Sequence, residues 1–179
     1  MKNSEKPTDK KRVIVVDDSR TQLEMLKYTL ENEGFDVESF NNGSEALVAL
    51  KKQVPDLIIT DVIMPGMDGY ELCRQIKSTP ALSSVPVILL TFLSGPEDVI
   101  MALQCGASTF VTKPCDAVSL ATTIKYLFAN RELGSRLNGN PEMEVLLHGR
   151  KFTLSPGKSQ MLDFLISTYE TAVEQGHKL

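Results

Sequence analysis

No stretch of this chain approaches the roughly 20 consecutive apolar residues of a membrane-spanning helix, which excludes a helical span. The first twelve residues, Met1 to Arg12, are polar and charged. They lack the apolar middle of a secretory signal peptide and read as a short disordered lead-in over 1–11. Cysteine is scarce, and Cys73, Cys105 and Cys115 show neither CxxC nor metal-ligand spacing. That excludes a disulfide framework and a thiolate metal site, and it suits free structural thiols in a reducing cytoplasm. The glycine motifs of an ATP site are missing. Ser155-Pro156-Gly157-Lys158-Ser159 ends like a phosphate loop, but Phe152 occupies the upstream position that must be glycine. Neither His148 nor His177 has the flanks of a kinase phosphoacceptor histidine. His148 reads as a turn residue and His177 as a solvated helix end.

A positive surface is lacking too. The formal net charge is −4. Residues 1–12 carry five basic and two acidic groups, residues 13–130 eight and fifteen, and residues 131–179 six of each. An acidic centre of net −7 argues against a nucleic-acid-binding face. What remains is an ordinary globular composition, 42% hydrophobic and 23% charged, in 179 residues. That is enough for one good core and a small appendage.

The chain is organised around Leu57-Ile58-Ile59-Thr60-Asp61 and the turn Met64-Pro65-Gly66 that follows. An apolar, β-branched run ending on a carboxylate reads as a strand buried on both faces of a parallel sheet. An Asp after such a strand is often only a turn residue or helix cap. The neighbouring segments argue for more. Arg12–Val16 is a strand ending on Asp17-Asp18, and Ser19 caps a helix with apolar positions Leu23, Leu26, Tyr28 and Leu30 that stops at Gly34. Asp36–Phe40 is a second strand and Gly43–Lys52 a helix turning Ala46, Leu47 and Leu50 inward. A helix from Gly69 to Ser78 follows Asp61. Val85–Thr91 is the fourth strand, Pro96 opens a helix running to Cys105, Thr109–Thr112 is the fifth strand, and Asp116 caps a last helix. Strands alternating with helices over short connections demand an α/β doubly wound parallel sheet with helices on both faces.

Such a sheet delivers Asp17, Asp18, Asp61, Thr91 and Lys113 to one edge, where ligands of open α/β sheets collect. A pair of carboxylates near 4 Å repels by about 4 kcal/mol at an effective dielectric of 20. Either one takes a proton or a cation joins them. Oxygen-only ligands suit Mg²⁺, and a lysine and a hydroxyl add partners for phosphoryl oxygens. The edge reads as a site holding a phosphoryl group on a carboxylate, with Asp61 as nucleophile. The plainer alternative is a salt-bridge cluster of Lys113 with a capping Asp.

The segments Val-Val-Asp17-Asp18-Ser, Ile-Thr-Asp61-Val-Ile-Met-Pro-Gly-Met-Asp-Gly, Leu-Leu-Thr91 and Val-Thr-Lys113-Pro114 resemble the receiver domain of bacterial response regulators (CheY-like), over residues 12–131. The resemblance implies a flavodoxin-like sheet of order 2-1-3-4-5 and an aspartyl phosphate on Asp61, donated by a histidine kinase or phosphotransfer protein. It also implies Mg²⁺ held by Asp18, Asp61 and the backbone carbonyl of Ile63, with Asp17 acting through water. Thr91 and Lys113 would bind phosphoryl oxygens. Phe110 occupies the switch-aromatic position, moving as Thr91 is drawn inward and changing the 96–115 face, although ordinary core packing also accounts for an aromatic there. Two residues depart from common usage: Phe92 is bulkier than the small residue usual after the threonine, and Ile63 is apolar where many members are polar. Both would flank the route of a hydrolytic water, so slow loss of the phosphoryl group is expected.

Residues 132–141 read as a linker, and 142–179 as a β-hairpin about His148-Gly149 followed by an amphipathic helix with Met161, Leu162, Leu165, Ile166, Tyr169 and Val173 on one stripe. A hairpin and helix cannot bury that stripe alone, so docking on the receiver or a homodimer through the C-terminal helix is expected. The tail is too short and evenly charged for a winged-helix DNA-binding domain. It is similar to segments that join N-terminal receivers to sensor or kinase modules, as in hybrid sensor histidine kinases, so kinase activity would lie outside this chain. Two other classes stay open. One is a receiver-like interaction module that works without phosphorylation. The other is an aspartyl-nucleophile phosphate-ester hydrolase, which usually carries a second acid where this chain has Ile63.

Overall fold

A computed structural model describes residues 10–92, 98, 101, 102, 104–134, 143–147 and 150–154. Five short strands form one parallel sheet: β1 (Arg12–Val16), β2 (Asp36–Phe40), β3 (Leu57–Asp61), β4 (Val87–Thr91) and β5 (Thr109–Thr112), in the spatial order β2-β1-β3-β4-β5. The helices are α1 (Arg20–Asn32), α2 (Gly43–Lys52), α3 (Gly69–Ser78) and α4 (Ala117–Gly134). Asp98, Met101, Ala102 and Gln104 are also helical; the rest of the helix expected to open at Pro96 lies outside the described residues.

Alternation along the strands sorts the core into two layers. Ile14, Val16, Ile58, Val87 and Leu89 face Ala46, Leu50, Leu72 and Ile76 of α2 and α3. Val13, Val15, Leu57, Ile59, Ile88 and Leu90 face Leu23, Leu26 and Leu30 of α1 and Leu120, Ile124 and Leu127 of α4. Every residue of β3 and β4 is buried, as a strand covered on both faces requires. All three cysteines are free thiols, and among the described residues no helix is long and apolar enough to cross a membrane.

The helix starts follow from local chemistry. The Ser19 side chain accepts from the Gln22 N–H at the head of α1, and Asn42 accepts from the Glu45 N–H at 2.9 Å for α2. Asp68 and Asp116 do the same for α3 and α4 at 2.7 and 2.8 Å, filling donors that a first turn leaves open.

Two expectations need correction. Tyr28 is 70% exposed. It stands two residues past Leu26, about 200° round a helix, so it cannot share the Leu23–Leu26–Leu30 stripe. Strand β4 begins at Val87, not Val85. Pro86 offers no N–H, although its carbonyl accepts from Ile58 at 3.0 Å. Helix α4 continues past Arg131 to Gly134. Beyond it, β6 (Met143–Leu147) and β7 (Arg150–Leu154) pair antiparallel with Leu147 opposite Arg150. The turn His148-Gly149 and the amphipathic stretch 155–179 lie outside the described residues.

Candidate functional site

Register brings the carboxylates together. Val16 lies opposite Thr60, so the next step of the parallel pair sets Asp17 beside Asp61 at the carboxyl ends of β1 and β3. Asp17 is fully buried and Asp61 nearly so, while Asp18 is exposed. Each of the three offers an oxygen, and these oxygens lie within 4.8 Å of one another. The Ser19 N–H donates to Asp17 Oδ1 at 2.9 Å, which fixes that carboxylate at the head of α1.

Lys113 reaches the cluster from the end of β5. Its backbone N–H donates to the Thr91 carbonyl at 2.7 Å, continuing the β4–β5 ladder one residue past Thr112. The side chain is 6% exposed, and its Nζ lies 2.9 Å from Asp17 Oδ2 and 3.2 Å from Asp61 Oδ1. It also donates to Gln22 Oε1 at 2.7 Å. Asp61 Oδ1 is buried, and its cationic partner is the Lys113 ammonium at 3.2 Å. Burial pushes the Asp61 carboxyl above its ordinary value. Lys113 pulls it down, and the like charge of Asp17 pushes it up again. Three carboxylates against one ammonium leave a formal excess of two negative charges, with Asp18 open to solvent on one side.

The loop after Asp61 is shaped by two glycines. Gly66 adopts φ +78°, which a side chain would strain. Gly69 packs so closely that a Cβ would stand 2.2 Å from the Asp61 carbonyl oxygen. Its N–H donates to the Val62 carbonyl at 2.9 Å, tying the start of α3 to the strand end. Ile63, in this loop, is 57% exposed.

The structure therefore brings together Asp17, Asp18, Asp61 and Lys113. Thr91 is buried at the neighbouring end of β4. Phe110 is half-buried against the α2–α3 core layer. Two partners of Lys113 are not evident from sequence. One is Gln22, a polar residue on the first turn of α1 whose only signal is its place three residues past the cap. The other is Phe92, 60% exposed, whose ring centroid lies 5.4 Å from the ammonium.

Known proteins resemble this chain in sequence and in fold. The response regulator receiver domain family matches residues 13–125. The chain is 40% identical over 116 residues to the response regulator PleD of Caulobacter vibrioides, covering 65% of this chain and 26% of PleD. It is 32% identical over 166 residues to the phosphate regulon transcriptional regulatory protein PhoB of Rhizobium meliloti, covering 88% of this chain and 73% of that one. Among solved structures, the signal receiver domain of a signal transduction histidine kinase from Syntrophus aciditrophicus superposes with TM-score 0.63 at 44% identity. That superposition covers 76% of this chain and 99% of the other. The chemotaxis protein CheY4 of Vibrio cholerae superposes with TM-score 0.64 at 32% identity, covering 65% and 98%.

Proposed function

Because this chain belongs to the response regulator receiver domain family, we propose that it accepts a phosphoryl group on Asp61 from a phosphohistidine of a histidine kinase or phosphotransfer protein. The observation that carries this reading is the Asp61 carboxylate itself. It is buried, stands beside two further carboxylates, and has the Lys113 ammonium 3.2 Å from its Oδ1.

In the transfer, an ionised Asp61 oxygen attacks phosphorus as the phosphorus–nitrogen bond breaks. The imidazole nitrogen leaves with that electron pair. Lys113 keeps Asp61 ionised against the cost of burial and then balances charge on the phosphoryl oxygens, with the Thr91 hydroxyl as a further donor. The excess of two negative charges and the all-oxygen donor set fit Mg²⁺. Asp18, Asp61 and the Ile63 carbonyl would hold it, with Asp17 through water, and it would neutralise charge shared by carboxylates and phosphoryl group. The change is then relayed by Thr91 and Phe110 to the 96–115 face and onward to the tail, with self-association as the output.

Intact-mass spectrometry after acetyl phosphate treatment with Mg²⁺ tests the reading. A phosphoryl adduct that Asp61→Asn abolishes is the expected result. A folded chain that takes no adduct would leave the phosphorylation-independent interaction module. Steady turnover of small phosphate esters would instead favour the hydrolase.

A further inference from the structure

Lys113 Nζ has three N–H donors. Two are used by Asp17 Oδ2 and Gln22 Oε1, and the third faces Asp61 Oδ1 at 3.2 Å. The side chain is almost wholly enclosed. Part of the enclosure is the ring of Phe92, 5.4 Å from the ammonium. The backbone fixes this meeting. Thr91 is opposite Thr112 in the β4–β5 pair and the Lys113 N–H donates to the Thr91 carbonyl, so residues 92 and 113 leave the sheet side by side. A single exposed aromatic ordinarily needs no explanation. This one has its π system within the range at which a cation is attracted to a ring.

From this geometry we infer that Phe92 is a positioning residue for Lys113. Its ring attracts the ammonium without using an N–H, so the lysine is held over Asp61 and the donor that faces Oδ1 can pass to an incoming phosphoryl oxygen. A polar neighbour would hold the ammonium by occupying that donor, and an aliphatic one would cover it without attraction. The role rests on the phosphoacceptor reading, but the contact exists before any phosphoryl group arrives and can be tested without one.

The test compares the full native chain with Phe92→Leu, which keeps most of the bulk but no π system, and Phe92→Tyr, which keeps the ring. Residue 92 is mostly exposed, so both variants are expected to fold. In the unphosphorylated, Mg²⁺-free protein, the Lys113 ε-methylene proton resonances should be displaced by the ring current in the native chain and in Phe92→Tyr, and lose that displacement in Phe92→Leu. With acetyl phosphate and Mg²⁺, Phe92→Leu should take up phosphoryl about two- to fivefold more slowly, and Phe92→Tyr should stay near the native rate. Identical Lys113 resonances in all three proteins, or a native rate for Phe92→Leu, would overturn the inference. If the native chain takes up no phosphoryl at all, the phosphoacceptor reading falls, and the resonances still decide whether the ring holds the ammonium.

Discussion

Asp61 is held in the folded chain at a cost that a bound cation or phosphoryl group would relieve. Burial raises its carboxyl above the ordinary 3.8, only partly offset by Lys113, with Asp17 adding to the rise. The folded state therefore binds this proton more tightly than the unfolded one. The resulting stability is fully present below pH 3.8 and is lost as pH rises through the folded value. In metal-free buffer at pH 7, Asp61→Asn is expected to raise Tm, and the gain should shrink as pH falls through the raised folded value and be gone below 3.8. Lys113 keeps Asp17 and Gln22 in that variant, so no charge is orphaned. Mg²⁺ should reverse the order. At a hundredfold excess over its Kd a ligand of the folded state adds about 2.7 kcal/mol, which the native chain should show and Asp61→Asn largely lose. Thermal melts at several pH values, with and without Mg²⁺, check both signs. On the same rim, Phe92 and Ile63 stand exposed beside the site. Removing the ring with Phe92→Ala opens the approach of water and is expected to speed loss of a phosphoryl group severalfold, read as the decay of the intact-mass adduct. A fast native decay that Phe92→Ala leaves unchanged would rule out this rim as the barrier.

At the scale of elements, the join between β3 and α3 decides whether the nucleophile is presented at all. A Cβ at Gly69 would meet the Asp61 carbonyl oxygen at 2.2 Å and the Val62 Cα at 2.9 Å, both backbone atoms that cannot swing away. Gly69→Ala is expected to destabilise the fold by about 1–3 kcal/mol through overpacking and to lower phosphoryl uptake by shifting Asp61; urea denaturation and adduct yield measure the two effects. Asp68→Ala, which removes only the cap accepting from the Glu71 N–H, should cost about 1 kcal/mol and leave uptake close to native. That difference separates strand-end geometry from helix stability. The same elements explain what was legible in the sequence. Apolar runs such as Leu57–Ile59 announce strands buried on both faces, and carboxylates at their ends announce the edge where they meet. Caps such as Ser19 and Asp116 carry their own local signal. Tyr28 was misread because an aromatic between two leucines looks apolar until its angle round the helix is counted. Gln22 and Phe92 were invisible as partners of Lys113, because both contacts depend on how α1 and the end of β4 are set against β5. No periodicity within one segment records that.

Across the whole molecule, the two core layers are assembled by residues between Val13 and Phe128, and the remaining chain has to be put to use from that base. The strands β6 and β7 form a two-stranded antiparallel pair, a unit marginal in water without something to cover it. If self-association is the output, linkage makes the coupling reciprocal. Whatever factor phosphorylation adds to the association constant, association must add to the stability of the phosphorylated state. Sedimentation of the full chain with and without beryllofluoride and Mg²⁺ measures the first side of that cycle, and the same experiment on residues 1–134 removes the tail while keeping α4 whole. A shift toward dimer in the full chain, absent from the shorter one, is the expected result. A coupling of 1–3 kcal/mol would appear as about a 5- to 150-fold change in dimer dissociation constant. Equal association in both states, with the adduct confirmed by mass, would mean that the tail does not report phosphorylation through self-association. The signal would then have to leave by the 96–115 face toward another protein.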